Sequence, residues 1–205
     1  MRILVTGFDP FGKETINPAW EAVKRLPDTI HETEIIKREI PTVRFASLKT
    51  IEEAIKEYNP DMILSVGQAG GRKDITVERI GINCDHYRIT DNQGNKPQEE
   101  KIREDGPDAY FVTLPIQKMV AAIRKEGIPA SISNTAGTFV CNHVIYGTRH
   151  LCATQYPDIA SGFIHVPYLP EQVTDKPGVP SMKLEDIITA LQAALTAMIK
   201  YKEEQ

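Results

Sequence analysis

The chain has 205 residues, of which 41% are hydrophobic and 25% are charged. This composition is typical of a globular protein and excludes a disordered, collagen-like or membrane-spanning chain. Its 24 basic and 28 acidic residues give a net charge of -4, so no overall positive field would hold it on nucleic acid or on an anionic membrane. We therefore expect a small or peptidic partner.

The N-terminal apolar run covers only Ile3 to Val5, which is far shorter than the core of a secretion signal. No apolar stretch approaches the roughly eighteen residues that a transmembrane helix needs. The three cysteines, Cys84, Cys141 and Cys152, are an odd and sparse set, which is typical of a reducing compartment and leaves at least one thiol unpaired. We expect a cytoplasmic protein with no secretion signal.

In the first half of the chain, short apolar runs alternate with helical patterns. Strands are predicted at 2–5, 34–40 and 61–66, and helices at 17–26, where Asn17 and Pro18 supply the cap and the first turn, and from Pro41-Thr42 through Ile55. The run 75–83 is rich in β-forming residues and follows the strand 61–66 with only a loop between them. Because parallel neighbours need a longer crossover, the sheet is predicted to be mixed.

The second half continues the alternation after a polar stretch at 91–108, which we expect to be a solvated excursion or a long hairpin. Further predictions are a helix at 115–126, a strand at 128–133, a helix at 142–155, a strand at 159–166, a proline-rich loop at 167–180 and a final helix whose apolar stripe contains Ile187, Leu191, Ala194, Leu195 and Met198. This order predicts an α/β sandwich.

Cys141 is the first candidate for chemistry. It follows a loop of small residues at 133–140 and directly precedes a predicted helix. A helix N-terminus offers unpaired N–H groups and a positive partial charge, and both favour the reactive thiolate. The alternative is a buried cysteine that packs as a small hydrophobic residue.

A cysteine nucleophile needs a base and proton donor, and the chain contains five histidines. His165 stands out because it lies at the end of an apolar strand, where a polar side chain has no packing role. The alternative is a histidine whose hydrogen bonds are satisfied within the core. His143 and His150 are predicted to lie on the surface of a helix.

Glu78 is the third candidate. Alternation along 75–83 predicts that it shares a strand face with Ile80 and Ile82, so its carboxylate needs a partner. That partner is either an arginine, such as Arg72, or an imidazole that the carboxylate would hold in one tautomer. The residues alone leave this choice open.

Two other motifs are weaker. The loop Gly67 to Arg72 follows a strand, as phosphate-binding loops do, but it has neither the dinucleotide nor the Walker spacing. Cys141 and His143 have no second Cys/His pair at zinc spacing. We expect no metal, no nucleotide and no other cofactor.

Several segments, taken together, resemble the pyroglutamyl peptidase I family, also called pyrrolidone-carboxylate peptidases, which are cytosolic cysteine peptidases. The resemblance extends over nearly the whole chain, and its blocks follow the family's order. The blocks are Gly7-Phe-Asp-Pro-Phe-Gly12 with Asn17-Pro18, Gly67-Gln-Ala-Gly-Gly-Arg72, Val77-Glu-Arg79 through Asn83, Asp91-Asn-Gln-Gly94, Ser133-Asn-Thr-Ala-Gly-Thr-Phe-Val-Cys-Asn142 and Gly162-Phe-Ile-His-Val-Pro167.

The resemblance implies one catalytic domain over 1–205, an α/β/α sandwich with a mixed, mostly parallel central sheet. It also implies a thiol protease, a hydrolase that removes N-terminal 5-oxoproline from pyroglutamylated peptides through a thioester. Cys141 would be the nucleophile, His165 the acid and base, and Glu78 the residue that orients the histidine. The family often forms homotetramers, so a homo-oligomer is expected.

Further site residues follow from the same resemblance. The substrate-binding residues would be Phe8, Phe11, Asn17, Gln68, Arg88 and Phe139. Of these, the phenylalanines would form the pocket walls, and Arg88 would assist the backbone N–H of Cys141 at the oxyanion. Two competing hypotheses remain. One is a nucleoside phosphorylase or a related hydrolase on a similar sandwich, with phosphate or sugar held at 67–72, and the other is a non-catalytic ligand-binding or assembly module in which Cys141 is merely packed.

Overall fold

A computed structural model describes residues 1–204. The strands are β1 (Arg2–Phe8), β2 (Thr29–Ile30), β3 (Thr33–Ile40), β4 (Met62–Gln68), β5 (Ile75–Glu78), β6 (Ile80–Ile82), β7 (Ala109–Phe111), β8 (Ala130–Ser133) and β9 (Ala160–Val166). The helices are α1 (Pro18–Val23), α2 (Ala46–Tyr58), α3 (Ile116–Lys125), α4 (Val140–Thr154) and α5 (Leu184–Glu203), with a short 3-10 helix at Pro170–Gln172.

Seven strands form one sheet in the order β2-β3-β1-β4-β9-β5-β8. The pairs β3-β1, β1-β4, β4-β9 and β5-β8 are parallel, whereas β2-β3 and β5-β9 are antiparallel. The predicted mixed, mostly parallel sheet is therefore confirmed. Among residues 1–204, no helix combines the length and the apolar character needed to cross a membrane.

Helices cover both faces of this sheet, which confirms the α/β/α sandwich. Alternate residues of β1 point to opposite faces: Val5 belongs to the core beneath α1, α3 and α5, and Leu4 belongs to the core beneath α2 and α4. The predicted apolar stripe of α5, from Ile187 to Met198, is fully buried in the first of these cores.

Helix α2 begins at Ala46, several residues later than the sequence predicts. The backbone N–H of Thr42 donates to Asp9 Oδ1 at 2.7 Å, and Phe45 has a left-handed φ of 58°. An α-helix cannot contain such a φ, so the segment 41–45 is a loop. This loop is held by the end of β1, which brings Thr42 towards the site described below.

The predicted strand 75–83 is divided at Arg79, whose N–H donates to Ser133 O at 2.9 Å. Residues before this point stay in the main sheet as β5, and those after it leave to pair with β7. The prediction that Glu78 shares a strand face with Ile80 and Ile82 is therefore wrong. Glu78 is completely buried, whereas Ile82 is exposed.

The polar stretch 91–108 folds back against residues 85–87, and the two segments form an irregular hairpin. Within it, Asp85 and Glu100 exchange backbone hydrogen bonds. It is less solvated than expected, because Asp91 and Ile102 are buried. The Asp91 carboxylate accepts from the backbone N–H groups of Arg44, Gln93 and Asn95 at 2.9–3.0 Å. Asp91 therefore ties this stretch to the loop 41–45.

Replacing Asp91 with alanine should lower the free energy of unfolding by about 2 kcal/mol, because three partly buried backbone N–H groups lose a charged acceptor. Burial alone would raise the pKa of Asp91, but hydrogen bonds from Asn95, Arg44 and Gln93 lower it overall. Its contribution is therefore present above the unfolded pKa of about 3.9 and is lost as the pH falls through the lower folded value. Urea unfolding at several pH values measures both effects. Glu104→Ala, at an exposed position in the same stretch, is the control and should change stability little.

Candidate active site

A small cavity lies at the ends of β1 and β4, next to the end of β9. Ligands of open α/β sheets bind in this position, beyond the carboxyl ends of parallel strands. The cavity has a volume of about 150 Å³, which is small against the roughly 300–1,000 Å³ of drug-sized ligand sites and suits a single small ring. Its lining residues are Phe8, Phe11, Asn17, Thr42, Gln68, Ala69, Arg72, Ala136, Phe139, Cys141 and His165.

His165 and Glu78 form a buried pair behind this cavity. The imidazole Nδ1 lies 2.7 Å from Glu78 Oε1, and Arg72 donates to the same oxygen at 2.6 Å. Both partners that the sequence left open for Glu78 are thus present. Arg72 also donates to Thr76 and to the Thr135 carbonyl, so its guanidinium is held within the site.

Cys141 is the second residue of α4. No hydrogen bond among residues 1–204 uses its backbone N–H as a donor to another residue, as is usual in the first turn of a helix. The sulfur lies against β4: a Cβ built on Gly67 would be 2.9 Å from Sγ. Gly67 lies opposite His165 in the pairing of β4 with β9. Because Gly67 has no side chain, the Cys141 thiol has room next to the strand that carries His165.

The electrostatics favour an uncharged resting thiol and imidazole. Burial and the nearby charge of Glu78 raise the pKa of Cys141 to about 12, and burial lowers the pKa of His165 despite its bond to Glu78. Burial would raise the pKa of Glu78, but His165, Ser133 and Arg72 lower it overall. Burial and the charge of Glu78 therefore act against the ionised thiol that the helix N-terminus favours.

A carboxylate only accepts hydrogen bonds, so an ionised Glu78 requires a proton on His165 Nδ1. In the neutral imidazole, Nε2 is then left with a free lone pair. The pair therefore presents a base, fixed in one tautomer, to the cavity that the Cys141 thiol also lines.

Aromatic rings form much of the cavity wall, as the resemblance implies. Phe8 is buried against Phe163, with ring centroids 6.3 Å apart. Phe11 and Phe139 are half-buried, and their centroids are 6.0 Å apart. Phe139 also contacts the buried ring of Tyr87 edge-on. These rings offer an apolar surface to a compact, uncharged ligand.

Asn17 and Gln68 supply polar groups to the cavity. Asn17 caps α1, as predicted, by accepting from Ala19 N at 3.0 Å, and its amide donates to Asp9 O at 2.9 Å. Arg88, in contrast, is exposed and does not line the cavity. Its suggested role as a second oxyanion donor has no support in this geometry.

Two histidines lie in a different environment from the predicted one. His143 is completely buried, with Nδ1 at 2.7 Å from Asp85 Oδ2 and Nε2 accepting from Phe45 N at 3.0 Å. His150 is also buried, beside Tyr110. The prediction that both lie on a helix surface is wrong, because the hairpin 85–100 and the β6-β7 ribbon cover this face of α4.

Thr42 and Arg72 belong to the cavity although the sequence did not assign them to it. The sequence predicts Thr42 at the start of a helix, which gives no reason to place it in a cavity. It indicates Arg72 only as a partner of Glu78 or as part of a phosphate-binding loop. Ala69 and Ala136, which line the same cavity, carry no signal in the sequence. Among residues 1–204, no group of three or more His, Cys, Asp or Glu side chains is arranged to hold a metal ion.

Comparison with known proteins identifies the family of the chain. The sequence matches the family described as pyroglutamyl peptidase over residues 1–201. A pyrrolidone-carboxylate peptidase of Finegoldia magna is 60% identical over 100% of this chain and 96% of its own length, and one of Clostridium botulinum is 56% identical over 98% and 94%.

Solved structures give the same result. The crystal structure of the pyroglutamyl peptidase I of Bacillus amyloliquefaciens is 50% identical and covers 97% of both chains with a TM-score of 0.95. A mutant pyrrolidone carboxyl peptidase of Pyrococcus furiosus is 42% identical over 98% of this chain and 99% of that one, with a TM-score of 0.94. The chain therefore belongs to the pyroglutamyl peptidase I family of peptide hydrolases.

Proposed function

We propose that this protein removes an N-terminal pyroglutamyl (5-oxoprolyl) residue from peptides by cysteine catalysis. The observation that carries this proposal is the Glu78–His165 pair, at 2.7 Å, which opens onto the cavity that Cys141 also lines. A nucleophile, an oriented base and a small, largely apolar cavity are the parts that such a reaction needs.

Acylation begins with a neutral thiol. Cys141 Sγ attacks the carbonyl carbon of the pyroglutamyl residue while His165 Nε2 takes the thiol proton, and a C–S bond forms. The negative oxygen that results is stabilised by the backbone N–H of Cys141, and one such donor is typically worth ~10²–10³ in rate. The C–N bond then breaks, and His165 gives its proton to the departing amine.

Deacylation uses the same groups. Water attacks the thioester while His165 Nε2 takes a proton from it, the C–S bond breaks, and the proton returns to the sulfur. The products are 5-oxoproline and the shortened peptide. Glu78 stays ionised throughout and transfers no proton. It orients the imidazole and stabilises the charged form of His165.

The cavity lining supports the choice of substrate. Among the described residues, those that line the cavity include no carboxylate. The ammonium of an ordinary N-terminus would lose its hydration there without gaining a counter-charge, whereas an uncharged lactam ring would not. Groups that hydrogen-bond the lactam would also be left unpaired with proline, which lacks the ring carbonyl.

The test is turnover by the purified protein. We expect release of a reporter amine from an L-pyroglutamyl amide and not from the matching L-prolyl amide. After an acid quench at early times, mass spectrometry should find the pyroglutamyl group on the peptide that contains Cys141. Preference for the prolyl amide, or acylation of another residue, would contradict the proposal.

The pH profile tests the uncharged resting pair. His165 must be neutral to accept the thiol proton, and its pKa is lowered, so kcat/KM should fall on the acid side with a midpoint below about 6.5. Because the pKa of Cys141 is raised to about 12, we expect no alkaline fall up to about pH 9. An alkaline limb near neutrality would instead indicate a thiolate–imidazolium pair and would refute this prediction.

We also propose that the protein works in the cytoplasm and as a homotetramer. A thiol nucleophile must stay reduced, which the cytoplasm favours, and all three cysteines of the chain are free thiols. The tetramer rests on the family resemblance, and native mass spectrometry tests it.

A further inference from the structure

Gln172 is a buried amide that does not line the cavity but contacts a residue that does. It ends the 3-10 helix after β9 and is 6% exposed. Its Nε2 lies 2.9 Å from Gln68 Oε1 and 3.0 Å from Glu14 Oε2, and its Oε1 lies 2.9 Å from Leu169 N.

Two of these neighbours fix the orientation of the Gln172 amide. A backbone N–H can only donate, so Leu169 must face the oxygen; an ionised carboxylate can only accept, so Glu14 must face the nitrogen. Lys176 Nζ donates to the other oxygen of Glu14 at 2.8 Å and so holds the carboxylate in place. If the Gln172 amide were flipped, its NH₂ group would face the Leu169 N–H and its oxygen would face the Glu14 carboxylate, so the flipped orientation is excluded.

The orientation of Gln172 in turn fixes that of Gln68. Because Gln172 presents an N–H group, Gln68 must present its oxygen to it, which leaves the Gln68 Nε2 on the other side. No hydrogen bond among residues 1–204 uses this nitrogen, and it is not among the fully buried polar atoms without a partner. It is thus a free donor at a residue that lines the cavity.

We infer that Gln172 is a positioning residue that makes Gln68 a hydrogen-bond donor towards the ring carbonyl of the substrate. This inference rests on the proposed function, since the pyroglutamyl ring carries the carbonyl that an amide N–H would recognise. If Gln68 were turned over, its oxygen would face that carbonyl oxygen, and a lactam would lose its advantage over a cyclic amine.

The sharpest test exchanges two residue types in the double variant Glu14→Gln/Gln172→Glu, which conserves net charge. A carboxylate at 172 still accepts from Leu169 N and from the new amide at 14, but it now offers Gln68 only an acceptor. Gln68 should turn over, and kcat/KM for the pyroglutamyl amide should fall about 10- to 100-fold. Gln117→Glu, at an exposed position on α3, is the control and should retain full activity.

A second readout does not depend on turnover. In the wild type, 2-pyrrolidinone should slow alkylation of Cys141 by iodoacetamide more strongly than pyrrolidine does. The double variant should lose most of this difference, while its alkylation rate without ligand stays unchanged. A purely structural role for Gln172 would not remove the preference for pyrrolidinone while leaving the alkylation rate without ligand unchanged.

Unchanged kcat/KM and unchanged protection in a folded double variant would overturn the inference. If that variant does not fold, Gln172→Met keeps the test open: it removes the N–H that orients Gln68, so the preference for pyrrolidinone should weaken, and full retention would again refute the inference. A wild type that is protected by pyrrolidinone but does not cleave the pyroglutamyl amide would refute the proposed function and not this positioning role.

Discussion

Replacing Cys141 with alanine should abolish release of the amine from a pyroglutamyl amide, with a loss in kcat of about 10⁴-fold or more. The alanine leaves His165 and Glu78 in place but removes the atom that forms the bond to the substrate. Cys141→Ser keeps a nucleophilic atom of similar shape, yet a hydroxyl is a much weaker nucleophile than a thiol with the same base. We expect the serine variant to retain only a trace of activity, measured as initial rates at saturating substrate.

Cys84→Ser is the matched control for this prediction. Cys84 is partly exposed and does not line the cavity, so its replacement should change kcat less than about twofold. Iodoacetamide should inactivate the wild type and the Cys84→Ser variant at the same rate, and the loss of activity should follow the labelling of Cys141. Substantial turnover by a folded Cys141→Ala variant would exclude the acyl-enzyme route.

The parts of the site that the sequence predicts lie where elements end. Cys141 follows a loop of small residues, and His165 lies at the end of an apolar strand. The ends of parallel strands and the starts of the following helices meet at one edge of a sheet, so residues with these local patterns come together there. The alternation of Leu4 and Val5 between two cores is likewise a property of the strand itself. Such features depend on few long-range contacts.

What the sequence could not predict depends on contacts between distant segments. His143 has an ordinary helical position, and its burial is decided by Asp85, which is 58 residues away. Thr42 reaches the cavity because Asp9 and the left-handed Phe45 delay the start of α2.

The charge state of the site is equally non-local. A helix N-terminus predicts a stabilised thiolate, but the pKa of Cys141 depends on how deeply the sheet, the helix and Glu78 enclose the sulfur. The sharing of one Glu78 oxygen by Arg72 and His165 arises in the same way. The sequence around Glu78 could therefore indicate both possible partners of its carboxylate, an arginine and an imidazole, but could not choose between them.

Glu78→Gln should lower kcat about 10³-fold while leaving the cavity intact. A glutamine has no negative charge to stabilise the imidazolium that forms when His165 takes the thiol proton, and its single oxygen must accept from both Arg72 and His165. Glu78 also supports a higher pKa at His165, against the effect of burial. Its loss should move the acid limb of the remaining activity to lower pH, because the imidazole becomes harder to protonate.

Stability should fall as well, because Arg72 loses the carboxylate that it contacts at 2.6 Å. The Arg72 side chain is 30% exposed, so water compensates part of the loss and we expect about 1–2 kcal/mol, less than for a fully buried pair. Glu126→Gln, an exposed carboxylate beyond α3, is the matched control and should leave both kcat and the acid limb unchanged. A Glu78→Gln enzyme with nearly full kcat and an unmoved acid limb would show that the imidazole needs no carboxylate to stabilise its charged form, and the role given to Glu78 would be wrong.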